Sequence, residues 1–199
     1  VHYKKILVQD KLLRKIIVSY EIAEIKKKKH IHLHLCHAVI SQQLSTKVAD
    51  VIYQRFLGLF DTRYPTPASI LAIPDEQLRS IGLSNAKTAY VKNLADFFIR
   101  EKLTDTKLYK MGDEELINYL TQIKGIGRWT VEMILMSCLG REDVFAADDL
   151  GIRQTMCHMY ALDESNPRLL KAQMHEIAEK WRPYRTYACR YLWGWKDKT

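Results

Sequence analysis

Apolar residues in this chain recur with a helical period and almost never alternate, and that single property excludes most folds. Across residues 12–25 they fall at 12, 13, 16, 17, 20 and 23, one stripe of a helix. Residues 48–60 repeat the spacing with Val48, Val51, Ile52, Phe56, Leu57, Leu59 and Phe60, and residues 85–98 do so with Ala86, Ala89, Tyr90, Leu94, Phe97 and Phe98. Residues 114–123, 129–139, 150–160, 168–181 and 186–195 behave alike. The breaks between them carry turn chemistry. Tyr64-Pro-Thr-Pro67 cannot be helix interior, Pro74-Asp75-Glu76 and Asn166-Pro167 suit helix starts, and Pro183 ends a helix. The pattern predicts an all-α chain of about ten to twelve short helices, with no repeat, long linker or low-complexity segment.

At 199 residues with 47% hydrophobic side chains, the chain can bury a core as one domain, or one domain of two lobes. Thirty-one Lys and Arg against 23 Asp and Glu leave a net charge of +8, a surface field that attracts polyanions, nucleic acid first among them. A basic protein without such a partner has the same composition. No apolar run approaches the roughly 18 residues of a membrane span, and no signal-peptide pattern opens the sequence, so the expected setting is intracellular with no membrane partner. Cys36, Cys138, Cys157 and Cys189 are widely separated and include no C-x-x-C, so neither a zinc knuckle nor an iron–sulfur loop fits; they read as reduced thiols.

The most informative stretch is Ile123-Lys-Gly-Ile-Gly-Arg-Trp-Thr130. A helix ends near Ile123, Gly125 and Gly127 bracket Ile126, and a second helix begins at once. Two glycines one residue apart permit a tight turn that a ligand's backbone can approach, and the N–H groups opening the second helix are anion donors. Such a turn grips phosphate and reads no base sequence. An ordinary glycine-closed αα-hairpin has the same letters; Ile126 as a buried pin and the flanking Lys124 and Arg128 favour the binding reading.

This stretch resembles the helix–hairpin–helix of the base-excision DNA glycosylases, and Val144-Phe-Ala-Ala-Asp-Asp-Leu-Gly-Ile-Arg153 resembles the segment that follows it there. With Ile40-Ser-Gln-Gln-Leu-Ser-Thr-Lys-Val-Ala49 and Gly82-Leu-Ser-Asn-Ala-Lys87, the pattern is similar to the 3-methyladenine DNA glycosylase II (AlkA-type) branch, from about residue 30 onward. Lys124 departs from it, standing where the family usually has Pro. The resemblance implies a two-lobed helical bundle with the active site in the cleft between lobes. Lobe A would hold about residues 1–35 plus 150–199, and lobe B about 36–149, with the hairpin at 113–139. By the same resemblance, the roughly 30 residues before the match would leave no room for the N-terminal β-domain of many relatives.

Cleaving an N-glycosidic bond builds positive charge on the sugar, so the reaction needs a fixed anion and a positioned water. Asp148 and Asp149 are the candidates, and a helix-start acid is also an ordinary N-cap. The resemblance carries the catalytic role onto Asp149 and leaves Asp148 a capping or surface role. Members that also cut the strand carry Lys two residues after the second hairpin glycine, where its amine forms a Schiff base. That position is Trp129, which implies a monofunctional hydrolase without lyase activity. A methylated purine is cationic and stacks on indole; by resemblance Trp129 is one wall of the base pocket and Trp193 the other. Met133 stands where relatives often carry Tyr, a difference that bears on substrate range.

The resemblance further implies DNA contacts from Gln42, Gln43, Ser45, Lys47, Leu83, Ser84, Asn85, Lys87, Lys124, Gly125, Ile126, Gly127, Arg128 and Thr130. No cofactor is required. A structural Na+ or K+ would be held by the backbone carbonyls of Thr121, Ile123 and Ile126. The partner is double-stranded DNA containing alkylated bases, the protein a monomer, and the compartment the cytoplasm, beside a nucleoid, or the nucleus. Two other readings compete: a helix–hairpin–helix DNA-binding module without catalysis, and a sibling glycosylase for oxidised or mismatched bases.

Residues 26–45, KKKKHIHLHLCHAVISQQLS, raise a separate question. A strand would align His30, His32 and His34 for zinc, whereas a helix puts His30, His34 and His37 on one face, with Leu33, Ala38, Ile40 and Leu44 toward a core. Helical surroundings and the absence of a completing carboxylate or paired cysteine favour the helix. The stretch then becomes a lead-in to the turn at Ser41–Ser45, where the resemblance makes Gln43, with Gln42 beside it, the side chain that fills the gap left by a flipped nucleotide.

Overall fold

The computed structural model describes residues 2–196, and among these every regular element is a helix. In chain order they are α1 (His2–Leu7), α2 (Lys11–Ile17), α3 (Ile31–Ser41), α4 (Thr46–Leu57), α5 (Pro67–Ala72), α6 (Asp75–Ser80), α7 (Asn85–Arg100), α8 (Asp105–Lys110), α9 (Asp113–Leu120), α10 (Arg128–Ser137), α11 (Leu150–Tyr160), α12 (Pro167–Glu179) and α13 (Arg185–Lys196). These 13 helices slightly outnumber the ten to twelve expected because α1, α5, α6 and α8, at six residues each, are too short to show a period.

The chain forms two compact units, Lys28–Ile134, and Val1–Lys27 with Leu135–Thr199. Both boundaries fall earlier than the sequence-based ones at 35 and 149. The second lies inside α10, where no loop marks the change.

In the unit Lys28–Ile134, α7 is the central element, and α3, α5 and α6 pack against it. Its buried Val91, Leu94, Ala95 and Phe98 lie on one face, so four turns of one helix become the floor of the core. The start of α3 is capped from a distance: the Asp105 carboxylate accepts from the backbone N–H groups of His30 (2.7 Å) and Ile31 (3.0 Å). That acid supplies the anion a helix N-terminus favours, while His30, at φ 59, gives no side-chain cap of its own.

His32, His34 and His37 lie in α3 with His30 as its N-cap, and the contacts of three of these rings are with protein. The His30 ring stacks on Tyr64, a His32 Nε2 lies 2.9 Å from the Pro65 carbonyl, and His37 reaches Asp50 at 3.3 Å and packs against Tyr53. No three potential metal-ligating side chains stand together among the described residues. Leu33 and Ile40 enter the core as expected; Leu44, beyond the helix, is 37% exposed instead of buried, because the chain turns outward after Ser41.

In the other unit, α13 packs on α11 and α2. Asp10 ties three segments to it: Oδ1 caps α2 through the N–H groups of Leu12 and Leu13, while Oδ2 accepts from the Tyr160 hydroxyl (2.6 Å) and Trp181 Nε1 (3.0 Å). Burial pushes its carboxyl upward, but these four donors outweigh it and hold the group below its ordinary value. The helix expected over residues 12–25 stops at Ile17. Beyond it the Tyr20 hydroxyl donates to the Tyr191 carbonyl, its ring lies where a Cβ on Gly194 would stand, and the Ala23 carbonyl accepts from Arg190 at 2.6 Å. Contacts along α13 thus replace the helical ladder that the stripe suggested. All four cysteines are buried and none forms a disulfide; burial pushes the Cys36 thiol up to about 12. No helix is long and apolar enough to cross a membrane among the described residues.

Candidate nucleic-acid interface and active site

The hairpin consists of α9, a turn over residues 121–127, and α10. Its two glycines do different work. Gly125 has φ +102, and a Cβ there would stand 2.2 Å from Cγ of Tyr90, so both backbone conformation and contact with α7 require glycine. A Cβ on Gly127 would meet nothing within 4 Å, which makes this the outward side of the turn. Ile126 between them is buried, and its N–H donates to the Ile123 carbonyl at 3.0 Å. The Gly127 carbonyl accepts from Val131, so α10 starts here and the amides of Arg128, Trp129 and Thr130 occupy its first turn. The Thr130 and Leu83 side chains are buried, which leaves only their backbones for contact.

The basic residues divide by geometry. Lys124 and Lys47 are exposed. The Arg128 guanidinium faces its own hairpin: Nη1 donates to Glu114 of α9 at 3.1 Å and Nε to Glu132 of α10 at 3.0 Å. The pairing with Glu114 holds that carboxyl below its ordinary value and raises the guanidinium. Arg128 therefore clamps the two helices together. Lys87 likewise turns inward, its Nζ donating to the carbonyls of Ile40 (2.8 Å) and Gln42 (2.7 Å) at the end of α3, and burial lowers its pKa. Ser84 caps α7 through Lys87 N at 3.3 Å, with exposed Asn85 next to it, and Ser45 caps α4 through Val48 N at 3.5 Å.

Within Ser41–Ser45, the neighbouring glutamines have opposite fates. The Gln42 amide donates to the Gly125 carbonyl at 3.0 Å, and Gln43 is exposed with φ 58. A non-glycine residue in the left-handed region is a local strain of the kind found at functional sites.

Asp149, 9% exposed, is the N-cap of α11. Its Oδ1 accepts from Ile152 N at 2.9 Å and from the Trp193 indole N–H at 2.8 Å. Capping and the catalytic candidacy, set against each other at the sequence level, thus fall on one residue. The Trp193 bond holds the carboxylate from α13, a role the reading of Trp193 as a stacking wall does not contain. Asp148 is at the surface and caps nothing: both its oxygens lie 2.7 Å from Lys171 Nζ, and it lines a cavity of about 400 Å3 with Arg153, Arg168 and Lys171. Gly151 was not singled out by sequence. A Cβ there would come within 3.2 Å of Asp149 Oδ1 and 3.3 Å of Trp193 Cδ1. Its only sequence signal is a glycine in the first turn of a helix, where it costs backbone entropy. Trp129 is 40% exposed at the start of α10, and Met133 follows one turn later, half-buried. These two belong to the unit Lys28–Ile134, and Asp149 and Trp193 to the other.

Residues 36–183 match the family described as HhH-GPD superfamily base excision DNA repair protein. The chain is 38% identical over 185 residues to DNA-3-methyladenine glycosylase 1 of Schizosaccharomyces pombe, covering 92% of this chain and 80% of that one. Among solved structures, a 3-methyladenine DNA glycosylase of Schizosaccharomyces pombe in complex with abasic DNA superposes with a TM-score of 0.84 at 36% identity, covering 97% of this chain and 95% of that one. A DNA-3-methyladenine glycosidase from Bacillus halodurans does so with a TM-score of 0.81 at 32% identity, covering 97% and 88%. With a family match over more than half its length and a relative at this identity, the chain belongs to the HhH-GPD superfamily of base excision DNA repair proteins.

Proposed function

We infer that the protein is a monofunctional DNA N-glycosylase that flips alkylated purines, such as 3-methyladenine and 7-methylguanine, out of double-stranded DNA and hydrolyses their glycosidic bond. The observation that carries this is the double anchoring of Asp149 by the Ile152 amide and the Trp193 indole. Both donors meet Oδ1, so the carboxylate has one fixed orientation before any substrate arrives. An anion so held stabilises the oxocarbenium-like sugar that forms as the base departs, and it orients the water that completes the hydrolysis. Methylation at N3 or N7 supplies the other half of the chemistry, since a cationic base is a better leaving group. The exposed face of Trp129 suits such a ring, with cation–π attraction on the order of 2 kcal/mol when desolvated. Trp129 also occupies the place where a lysine would attack the sugar, and an indole cannot form a Schiff base.

The DNA backbone would meet the open side of the hairpin at Gly127 and the first-turn amides of α10, with Lys124 beside them. Gln43, outward on its strained turn, is suited to fill the gap left by the flipped nucleotide. A monovalent cation on the carbonyls of Thr121, Ile123 and Ile126 would stiffen the same turn; the Ile123 carbonyl accepts one hydrogen bond and keeps a second lone pair for it. The protein acts as a monomer in this reading.

The test is release of free 3-methyladenine and 7-methylguanine from methylated duplex, with borohydride present in a parallel reaction. Wild type should release both bases and form no trapped adduct, and Asp149→Asn should lose on the order of a hundredfold or more in single-turnover rate. DNA binding without base release by wild type would leave only a binding module, and a trapped adduct would contradict monofunctional chemistry.

A further inference from the structure

The turn that follows α3 is held from two sides by polar groups that point at backbone and not at solvent. Lys87, on α7, donates to the carbonyls of Ile40 and Gln42 at 2.8 and 2.7 Å. Gln42 donates in turn to the Gly125 carbonyl at 3.0 Å. Gly125 sits on the Tyr90 ring, one turn of α7 beyond Lys87, with no space for a side chain. The chain of contacts therefore runs from α7 to the end of α3, on to the hairpin turn, and back to α7. Gln43 lies at its edge, exposed, in a left-handed conformation (φ 58) that a residue with a Cβ keeps only where its surroundings hold it.

We propose that Lys87 and Gln42 form a latch that ties the Gln43 turn to the hairpin turn, so that Gln43 already stands in place when DNA backbone seats on residues 125–128. Both are positioning residues that touch protein and not phosphate. The inference rests on the glycosylase reading above and deepens it. It assigns the insertion of Gln43 to a device built before DNA arrives, not to an adjustment made on binding. Without the ammonium, the two carbonyls at the end of α3 lose their donor, the strained turn relaxes, and Gln43 samples several directions. Grip on undamaged backbone, made at the hairpin, is unaffected.

That separation makes the latch distinguishable from a direct phosphate contact. A lysine on phosphate contributes to counterion release, so removing it lowers affinity for every duplex and reduces the salt slope by about 1. A latch lysine does neither. The experiment takes the full chain as wild type, Lys87→Met, Lys87→Arg, Gln42→Leu, Gln43→Ala and the Lys87→Met/Gln43→Ala pair. Three readouts are compared: affinity for undamaged duplex across a salt series, single-turnover release of 7-methylguanine, and fluorescence of 2-aminopurine beside an abasic-site analogue.

Lys87→Met should keep undamaged-duplex affinity within about twofold and leave the salt slope unchanged, while losing about tenfold in release and most of the fluorescence change. The double variant should be no worse than Gln43→Ala alone, since both substitutions remove one function. Lys87→Arg, which can still donate to two carbonyls, should recover part of the loss. A salt slope reduced by about 1, losses that multiply in the double variant, or release equal to that of an active wild type would each overturn the latch. Should Lys87→Met fail to fold by circular dichroism, Gln42→Leu with and without Gln43→Ala decides by the same criteria. A wild type that releases no base fails the glycosylase reading instead, and the fluorescence arm on the abasic duplex then still tests the latch.

Discussion

Oδ1 of Asp149 accepts from an amide three residues ahead and from an indole 44 residues ahead, and only the first of these bonds is local. Position narrowed the acid to Asp148 or Asp149 and the family resemblance chose Asp149, whereas Gly125 and Gly127 stand out by their spacing. The indole bond could not, because a Trp in an aromatic-rich helix reads equally as core or as pocket wall. Gly151 shows how closely the pair is fitted. Alanine in its place would recover part of the backbone entropy that glycine costs, yet its Cβ would press on Oδ1 at 3.2 Å and on the indole at 3.3 Å. Gly151→Ala should therefore leave Tm equal or slightly raised while single-turnover base release falls about tenfold. Equal activity in the two proteins would mean that the carboxylate tolerates displacement.

At the scale of elements, the helical period located the longer helices, and the failures have a common cause. The stripe over residues 12–25 yields a helix only to Ile17, because the hydroxyl of Tyr20 and the carbonyl of Ala23 find partners on α13. A periodic pattern states that a helix would be amphipathic and is silent on what else offers hydrogen bonds. α3 is the converse case. Its histidine-rich sequence raised the question of metal and was read as a helix, but the partners of its rings, Tyr64 and Pro65 before α5 and Asp50 and Tyr53 on α4, could not be read from it. Burial, the largest influence on both, pushes His32 and His34 below their ordinary value of 6.5. Above that value both rings are neutral in folded and unfolded chains, and stability from this source is fully present. As pH falls through about 6.5, the unfolded chain takes up protons that the folded one resists, so stability declines. Tm measured between about pH 7.5 and pH 5.5 should drop, and the drop should be smaller in His34→Gln; an unchanged drop would remove His34 from the account.

For the whole molecule, a net charge of +8 predicts duplex binding that weakens steeply with salt. Charge counting cannot say which cations take part. Lys124 is exposed beside the open turn, whereas Arg128 is committed to Glu114 and Glu132. Lys124→Ala should thus reduce the salt slope of undamaged-duplex binding by about 1. Arg128→Ala should leave that slope nearly unchanged and lower Tm by a few degrees through loss of the clamp. Equal slope changes in the two variants would show that Arg128 leaves its carboxylates for phosphate. Residue order alone determined the all-helical class and the hairpin with its glycines, because both rest on local spacing, while Asp149 and Trp129 were singled out only through resemblance to a family. Tertiary structure alone decided which cations face outward, which glutamine is held and which exposed, and what fixes the carboxylate, because those depend on groups far apart in sequence competing for the same hydrogen bonds.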